Sequence, residues 1–120
     1  MWKQWFCCQR NKCDLVEPDI MKTVTMCGSM KFEKEMQIIA LRLETMHGYN
    51  VLQCVYNPEK DELSSYEMDV LKAAHYRKID ISDAIYVVDI QGYIGDSVRA
   101  EMVYAKEQGK EIIRHSNFDL

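Results

Sequence analysis

The chain has no long apolar run. No stretch approaches the roughly 18 residues that a membrane-spanning helix needs. Its start also lacks the apolar centre of a signal peptide, because residues 2–8 are short and run into Gln9, Arg10, Asn11 and Lys12. Together these absences point to a cytoplasmic protein without a membrane partner. There is no surplus of basic charge either. A net charge of −4 argues against binding a nucleic-acid backbone. Internal repeats and low-complexity segments are missing, so one domain is the expectation for 120 residues. Neither Gly-x-Gly-x-x-Gly nor a Walker pattern occurs, which removes the strongest nucleotide signatures. The five cysteines are odd in number and come without an export signal, so free thiols are expected. Cys7, Cys8 and Cys13 cluster, yet their spacing fits no paired zinc pattern, and no metal site is expected.

What is present reads as a soluble α/β domain. Apolar residues make up 48% and charged residues 28% of the chain, an ordinary globular balance. Residues 1–21 hold both tryptophans and three of the cysteines without a sustained period. They read as an appendage, mobile or packed on the body through Trp2, Trp5 and Phe6, ahead of a domain over 22–120. Residues 22–27 form an expected strand. A helix follows with Phe32, Met36, Ile39, Leu43 and Met46 on one stripe, ended by Gly48. A second strand is expected over 51–56. A second helix follows over 63–81, with Tyr66, Val70, Leu71, Ala74 and Ile79 as core contacts. Residues 84–88 are an apolar strand rich in β-branched residues, and a third helix starting near Ser97 places Val98, Met102 and Ala105 on one side. A fourth strand over 110–114 and a tail complete the chain. The alternation β-α-β-α-β-α-β predicts a doubly wound open sheet, mostly parallel, in the order 2-1-3-4 with helices on both faces. Ligands then bind beyond the C-terminal ends of the first and third strands.

Two loops meet at that point, Gly28-Ser29-Met30 and residues 91–96 with Gly95. Bare backbone N–H groups at Gly28-Ser29 could approach an anion, although Ser29 as a simple helix N-cap explains the same residues. Asp89 closes an apolar strand, where a carboxylate either caps a loop or faces a ligand. Asp83 opens that strand and reads more simply as a turn residue. With Ser97 as N-cap, Ala100 takes the capping-box position, so Glu101 is not explained as a cap. Arg99 could pair with a nearby acid or meet a phosphate. His75, alone on the second helix, is more often structural than catalytic.

Three stretches then carry a resemblance: Cys27-Gly28-Ser29-Met30; residues 82–89, Ser-Asp-Ala-Ile-Tyr-Val-Val-Asp; and residues 92–105 with the Ser97-x-x-x-Glu101-x-x-Tyr104-Ala105 pattern and Gly109-Lys110 beyond. Over about 23–114 the chain resembles the nucleoside 2-deoxyribosyltransferase-like superfamily, which includes the nucleoside 5′-monophosphate N-glycosidases. The resemblance implies a doubly wound fold and Glu101 as a glutamate nucleophile that forms a covalent glycosyl-enzyme. It implies that Asp89 or His75 protonates the leaving base. Gly28, Ser29, Met30, Asp83, Gly95, Ser97 and Arg99 would hold the sugar or a 5′-phosphate. The family's second acid, on the helix before the third strand, has no clear equivalent; His75 or Asp80 lies nearest. The implied partner is a small nucleoside or nucleotide, no cofactor is implied, and a homodimer or larger homo-oligomer is expected. A nucleotide-binding module of the same fold that cleaves nothing is the alternative.

Overall fold

Strands and helices alternate along residues 17–120, the part of the chain that the computed structural model describes. Strand β1 (Thr23–Cys27) leads to helix α1 (Glu33–His47), then β2 (Asn50–Leu52), α2 (Ser65–Asp80), β3 (Ala84–Val87), α3 (Asp96–Glu107) and β4 (Glu111–Arg114). All three strand pairings are parallel, and the sheet order is β2-β1-β3-β4. This is the expected doubly wound order. Most of the expected appendage, with both tryptophans, lies outside the described residues; its end forms a short turn, Pro18–Ile20. No helix among the described residues is long and apolar enough to cross a membrane.

The central strands β1 and β3 are buried on both faces, which explains why they read as continuous apolar runs rather than alternating ones. Their side chains still divide by parity. Val24, Met26, Ala84, Tyr86 and Val88 join Met36, Ile39, Ala40 and Leu43 of α1 in one core. Cys27, Ile85 and Val87 join Ile79 of α2 and Val98 and Ala105 of α3 in the other. Each fully buried aliphatic side chain contributes roughly 1.5–3 kcal/mol. Thr25 and Ser82, both buried, hydrogen-bond each other at 2.6 Å, and the Ser82 hydroxyl also reaches the Lys78 carbonyl at 2.7 Å. These two buried hydroxyls are thus satisfied.

Local signals set the boundaries. Gly48 ends α1 at φ +69°, with its N–H on the Glu44 carbonyl, the left-handed cap expected of a glycine there. Helix α2 starts later than expected because Ser64 and Glu67 form a capping box: the Glu67 N–H reaches the Ser64 hydroxyl and the Ser64 N–H reaches the Glu67 carboxylate. The expected apolar stripe of α2 is corrected by the structure. Ile79 is buried, but Tyr66 and Val70 are exposed and Leu71 only partly covered. The reason is placement: the last turns of α2 pack on the sheet, and its first half forms a wall beyond the strand ends. Met46, at the end of the α1 stripe, is also exposed. Strand β2 leaves the sheet after Leu52, four residues before the expected end, and the chain from 53 to 64 runs outside the sheet.

Two further features fix the frame. The expected tail is instead an ordered turn, His115–Asn117, held by Asp89. The Asp89 carboxylate accepts from the Ser116 N–H at 2.8 Å, the Ser116 hydroxyl at 2.7 Å and Arg114 Nε at 3.1 Å. Phe118 then packs edge-on against Tyr86, and His115 bonds the Tyr86 hydroxyl. Burial pushes the Asp89 carboxyl up, but the Ser116 and Arg114 hydrogen bonds outweigh it and hold it below its ordinary value. Directly after β1, Gly28 sits against α1: a Cβ there would lie 2.6 Å from Met36 Sδ and 3.2 Å from Val88 Cβ.

Asp89→Asn should lose about 2 kcal/mol of stability near neutral pH, since it weakens hydrogen bonds to a charged acceptor. A lowered folded pKa gives stability that is present above the ordinary value of 3.8 and lost as pH falls through the lower folded value. Urea titrations of both proteins should therefore diverge at neutral pH and converge below pH 3.8; a gap independent of pH contradicts the role of the charge. Gly28→Ala should cost about 1–3 kcal/mol by overpacking against Met36 and Val88, read from the same denaturation curves.

Candidate active site

Parallel pairing of β1 and β3 brings the C-terminal ends of both strands to one side of the sheet, with Cys27 opposite Val87. Gly28–Met30 leaves the first strand there, and residues 93–97 enter α3 beside it. Helix α2 and residues 54–55 close the remaining sides around an open cavity of about 760 Å³. This is the crevice expected of an open α/β sheet.

Glu101 and His75 meet in this cavity. The carboxylate oxygen of Glu101 lies 3.3 Å from His75 Nε2, and the two side chains are only 15% and 13% exposed. Glu101 is two residues further into the helix than Ser97 as N-cap implies. The cap is Gly95, which has no side chain to offer, so Ser97 is the second helical residue and Glu101 the sixth. The first N–H groups of α3 are consequently left without a side-chain acceptor, at the positive end of the helix dipole and on the cavity rim.

Behind this pair stands Cys27, fully buried at the end of β1, its sulfur 3.5 Å from the same His75 Nε2. A single Nε2–H can serve the carboxylate or the sulfur, not both at once. Burial, reinforced by the Glu101 charge, pushes the Cys27 thiol well above its ordinary pKa. The thiol is therefore neutral near neutral pH and is no nucleophile. Cys54, on the cavity wall, donates its S–H to the Met26 carbonyl and is pushed up to about 11, chiefly by burial. Tyr76 is raised by burial and by Glu101.

The structure gathers Gly28, Ser29, Met30, His75, Gly95, Ser97 and Glu101 around the cavity. Three other sequence candidates lie elsewhere. Asp83 accepts from the Thr23 N–H at 2.8 Å, at the opposite end of the sheet. Asp89 accepts three hydrogen bonds from Arg114 and Ser116 and is 1% exposed. Arg99 donates to the Ile94 carbonyl and faces a separate hollow with Lys106 and Arg114. Ser29 caps the turn Met30–Phe32, its hydroxyl accepting from the Lys31 N–H, and Gly28 is required by packing. Asp80 accepts from the Tyr104 hydroxyl and is not a cavity residue.

Sequence reasoning missed Cys27, Asp69, Lys72, Lys78 and Tyr93. Lys72 and Lys78 bring positive charge to the cavity, and Asp69 adds a carboxylate from α2. The spacing of Asp69, Lys72, His75, Tyr76 at three, three and one residues along a helix was a legible sign that they share a side. Tyr93 lies under Lys31, whose Nζ is 3.3 Å from the ring centroid, and Phe32 meets it edge-on. That stack ties the loop after β3 to the turn after β1.

No model of a known protein family matches the sequence, and no curated protein matches it. Among solved structures the chain is similar to a CMP N-glycosidase from Clostridium botulinum, BcmB, with a TM-score of 0.52 and 21% sequence identity over 78% of this chain and 70% of that one. The chain shares that enzyme's fold.

Proposed function

We propose that the domain cleaves the N-glycosidic bond of a nucleoside or nucleoside 5′-monophosphate. One observation carries this reading: the Glu101 carboxylate lies in the strand-end cavity, paired with His75, in a fold shared with an N-glycosidase. The reaction needs an atom that can bond to C1′ of the sugar and a proton for the departing base. Glu101 Oε attacks C1′ as the bond from C1′ to the base nitrogen breaks, giving a glycosyl ester on the carboxylate. His75, beside it, delivers the proton to the base. Water then attacks C1′ and releases the sugar, or a second base takes it.

Binding follows from the same wall. The uncapped N–H groups of α3, the Ser97 hydroxyl and Lys72 or Lys78 supply donors and charge for a 5′-phosphate. Arg99 and Asp83 drop out of that role by position, and so does Asp89 as the acid. Asp69 is available to accept from a sugar hydroxyl. A binder that cleaves nothing would use the same groups, and the experiment separates the two. Tyr66 and Val70, exposed one turn apart on α2, also support the expected homo-oligomer, with a second copy covering this side of the helix.

Wild type should release free base from at least one member of a panel of nucleosides and 5′-monophosphates separated by chromatography. His75→Ala should be slower by roughly 10²–10⁴-fold, and Glu101→Ala slower still. Lanes with added acceptor base distinguish transfer from hydrolysis. No release from any member, together with a raised melting temperature on adding one, assigns a binding module instead. Light scattering in solution should give a multiple of 14.1 kDa, reduced by Tyr66→Glu; a monomer at all concentrations removes the homo-oligomer.

A further inference from the structure

Cys27 has a raised pKa, no solvent contact and no part in the glycosidase chemistry above, yet it shares His75 with Glu101. The three donor atoms, Cys27 Sγ, His75 Nε2 and a Glu101 carboxylate oxygen, all lie within 4.8 Å of one another. The nearer separations are 3.5 Å for sulfur to nitrogen and 3.3 Å for nitrogen to oxygen. In a tetrahedral zinc site the metal stands about 2.3 Å from sulfur and about 2.0 Å from nitrogen and oxygen, so neighbouring donors are roughly 3.3–3.6 Å apart. The two measured edges already have that length, and the sulfur-to-oxygen edge is no longer than 4.8 Å. Among the described residues these three side chains form one face of a tetrahedron without any backbone movement being needed for the two shorter edges.

We infer that Cys27, His75 and Glu101 form a binding site for a thiophilic divalent cation such as Zn²⁺, and that its occupancy switches the cavity off. Three protein ligands of sulfur, nitrogen and oxygen type suit zinc and leave a fourth position open. His75 and Glu101 line the cavity, so that position faces it and takes water. On binding, the Cys27 S–H bond breaks, the proton leaves to solvent, and both electrons of the sulfur bond to the metal. The cost of burying the resulting thiolate is offset by the charge of the ion. The His75 proton moves through solvent from Nε2 to Nδ1, so that the metal takes the Nε2 lone pair together with one oxygen of Glu101. Those are the groups that the proposed cleavage needs free, so the inhibitory half of this inference rests on that reading. The binding half stands without it.

The probe is Co²⁺, titrated into the full chain with Cys7, Cys8 and Cys13 replaced by serine, so that N-terminal thiols add nothing. One equivalent should produce a near-ultraviolet thiolate-to-cobalt band and the visible bands of a tetrahedral ion, both removed by one equivalent of Zn²⁺. Cys27→Ser should abolish the near-ultraviolet band. Glu101→Gln, on the cavity wall and outside the core, should weaken Co²⁺ binding by at least the roughly tenfold that loss of a supporting group around a metal costs. Melting curves without metal establish that each variant is folded, and Cys54→Ser, which should leave the bands intact, tests the other thiol. Absence of the bands in the folded parent, their loss in Cys54→Ser instead, or their persistence in both Cys27→Ser and Glu101→Gln overturns the site. Zn²⁺ should stop base release at the concentrations that displace Co²⁺; uninhibited release with the site filled overturns the switch. If no base is released without metal, cleavage fails as a function while the cobalt spectra still decide the metal site.

Discussion

The parallel pairing of β1 with β3 is the constraint on which the site depends. It is four residue pairs long, from Val24 opposite Ala84 to Cys27 opposite Val87. Because both strands run the same way, their two exits open side by side, and the turn after one must face the loop after the other. Because both strands are covered on two faces, their register is strongly specified. A slip of one residue would move Cys27 from the α2 side to the α1 side and carry Met26 into its place. The thiol, the histidine and the glutamate meet only in the observed register.

Those three residues come from three different elements, and each is held for its own reason. Cys27 is set by strand pairing. His75 is set by α2, whose last turns dock through Ile79 and whose start is fixed by the Ser64–Glu67 box. Glu101 is set by α3, anchored through Val98 and Ala105. The low exposure of the group strengthens every charge in it. It also explains why the nearby Cys54 and Tyr76 both respond to Glu101.

Much of the frame was legible in the sequence. Order and direction of the strands followed from alternation, and the α1 stripe gave Met36, Ile39 and Leu43 as core because that helix lies flat on the sheet. The α2 stripe misled for a geometric reason: a helix that leans past the strand ends turns apolar side chains toward a cavity or solvent, and periodicity does not distinguish these from a core. Glu101 and His75 could be named from the sequence, but their contact could not, since 26 positions separate them. Asp89 looked chemical because a carboxylate ending an apolar strand is unusual. Its actual partners are Arg114, the last residue of β4, and Ser116, in what reads as a featureless tail. Cys27 reads as a strand residue and no more, because parity within a strand buried on both sides does not say which helix a residue meets.

The contact of Gly28 with α1 has a consequence for how such a domain varies over time. The missing side chain at 28 and the thioether at 36 fill one volume between them. A lineage that acquires a larger residue in the turn either shortens the helix residue beneath it first, through an intermediate with a void, or enlarges the turn first, through an overpacked one. The two positions are thus inherited as a unit, and the backbone that borders the cavity is free to change only along that coupled path.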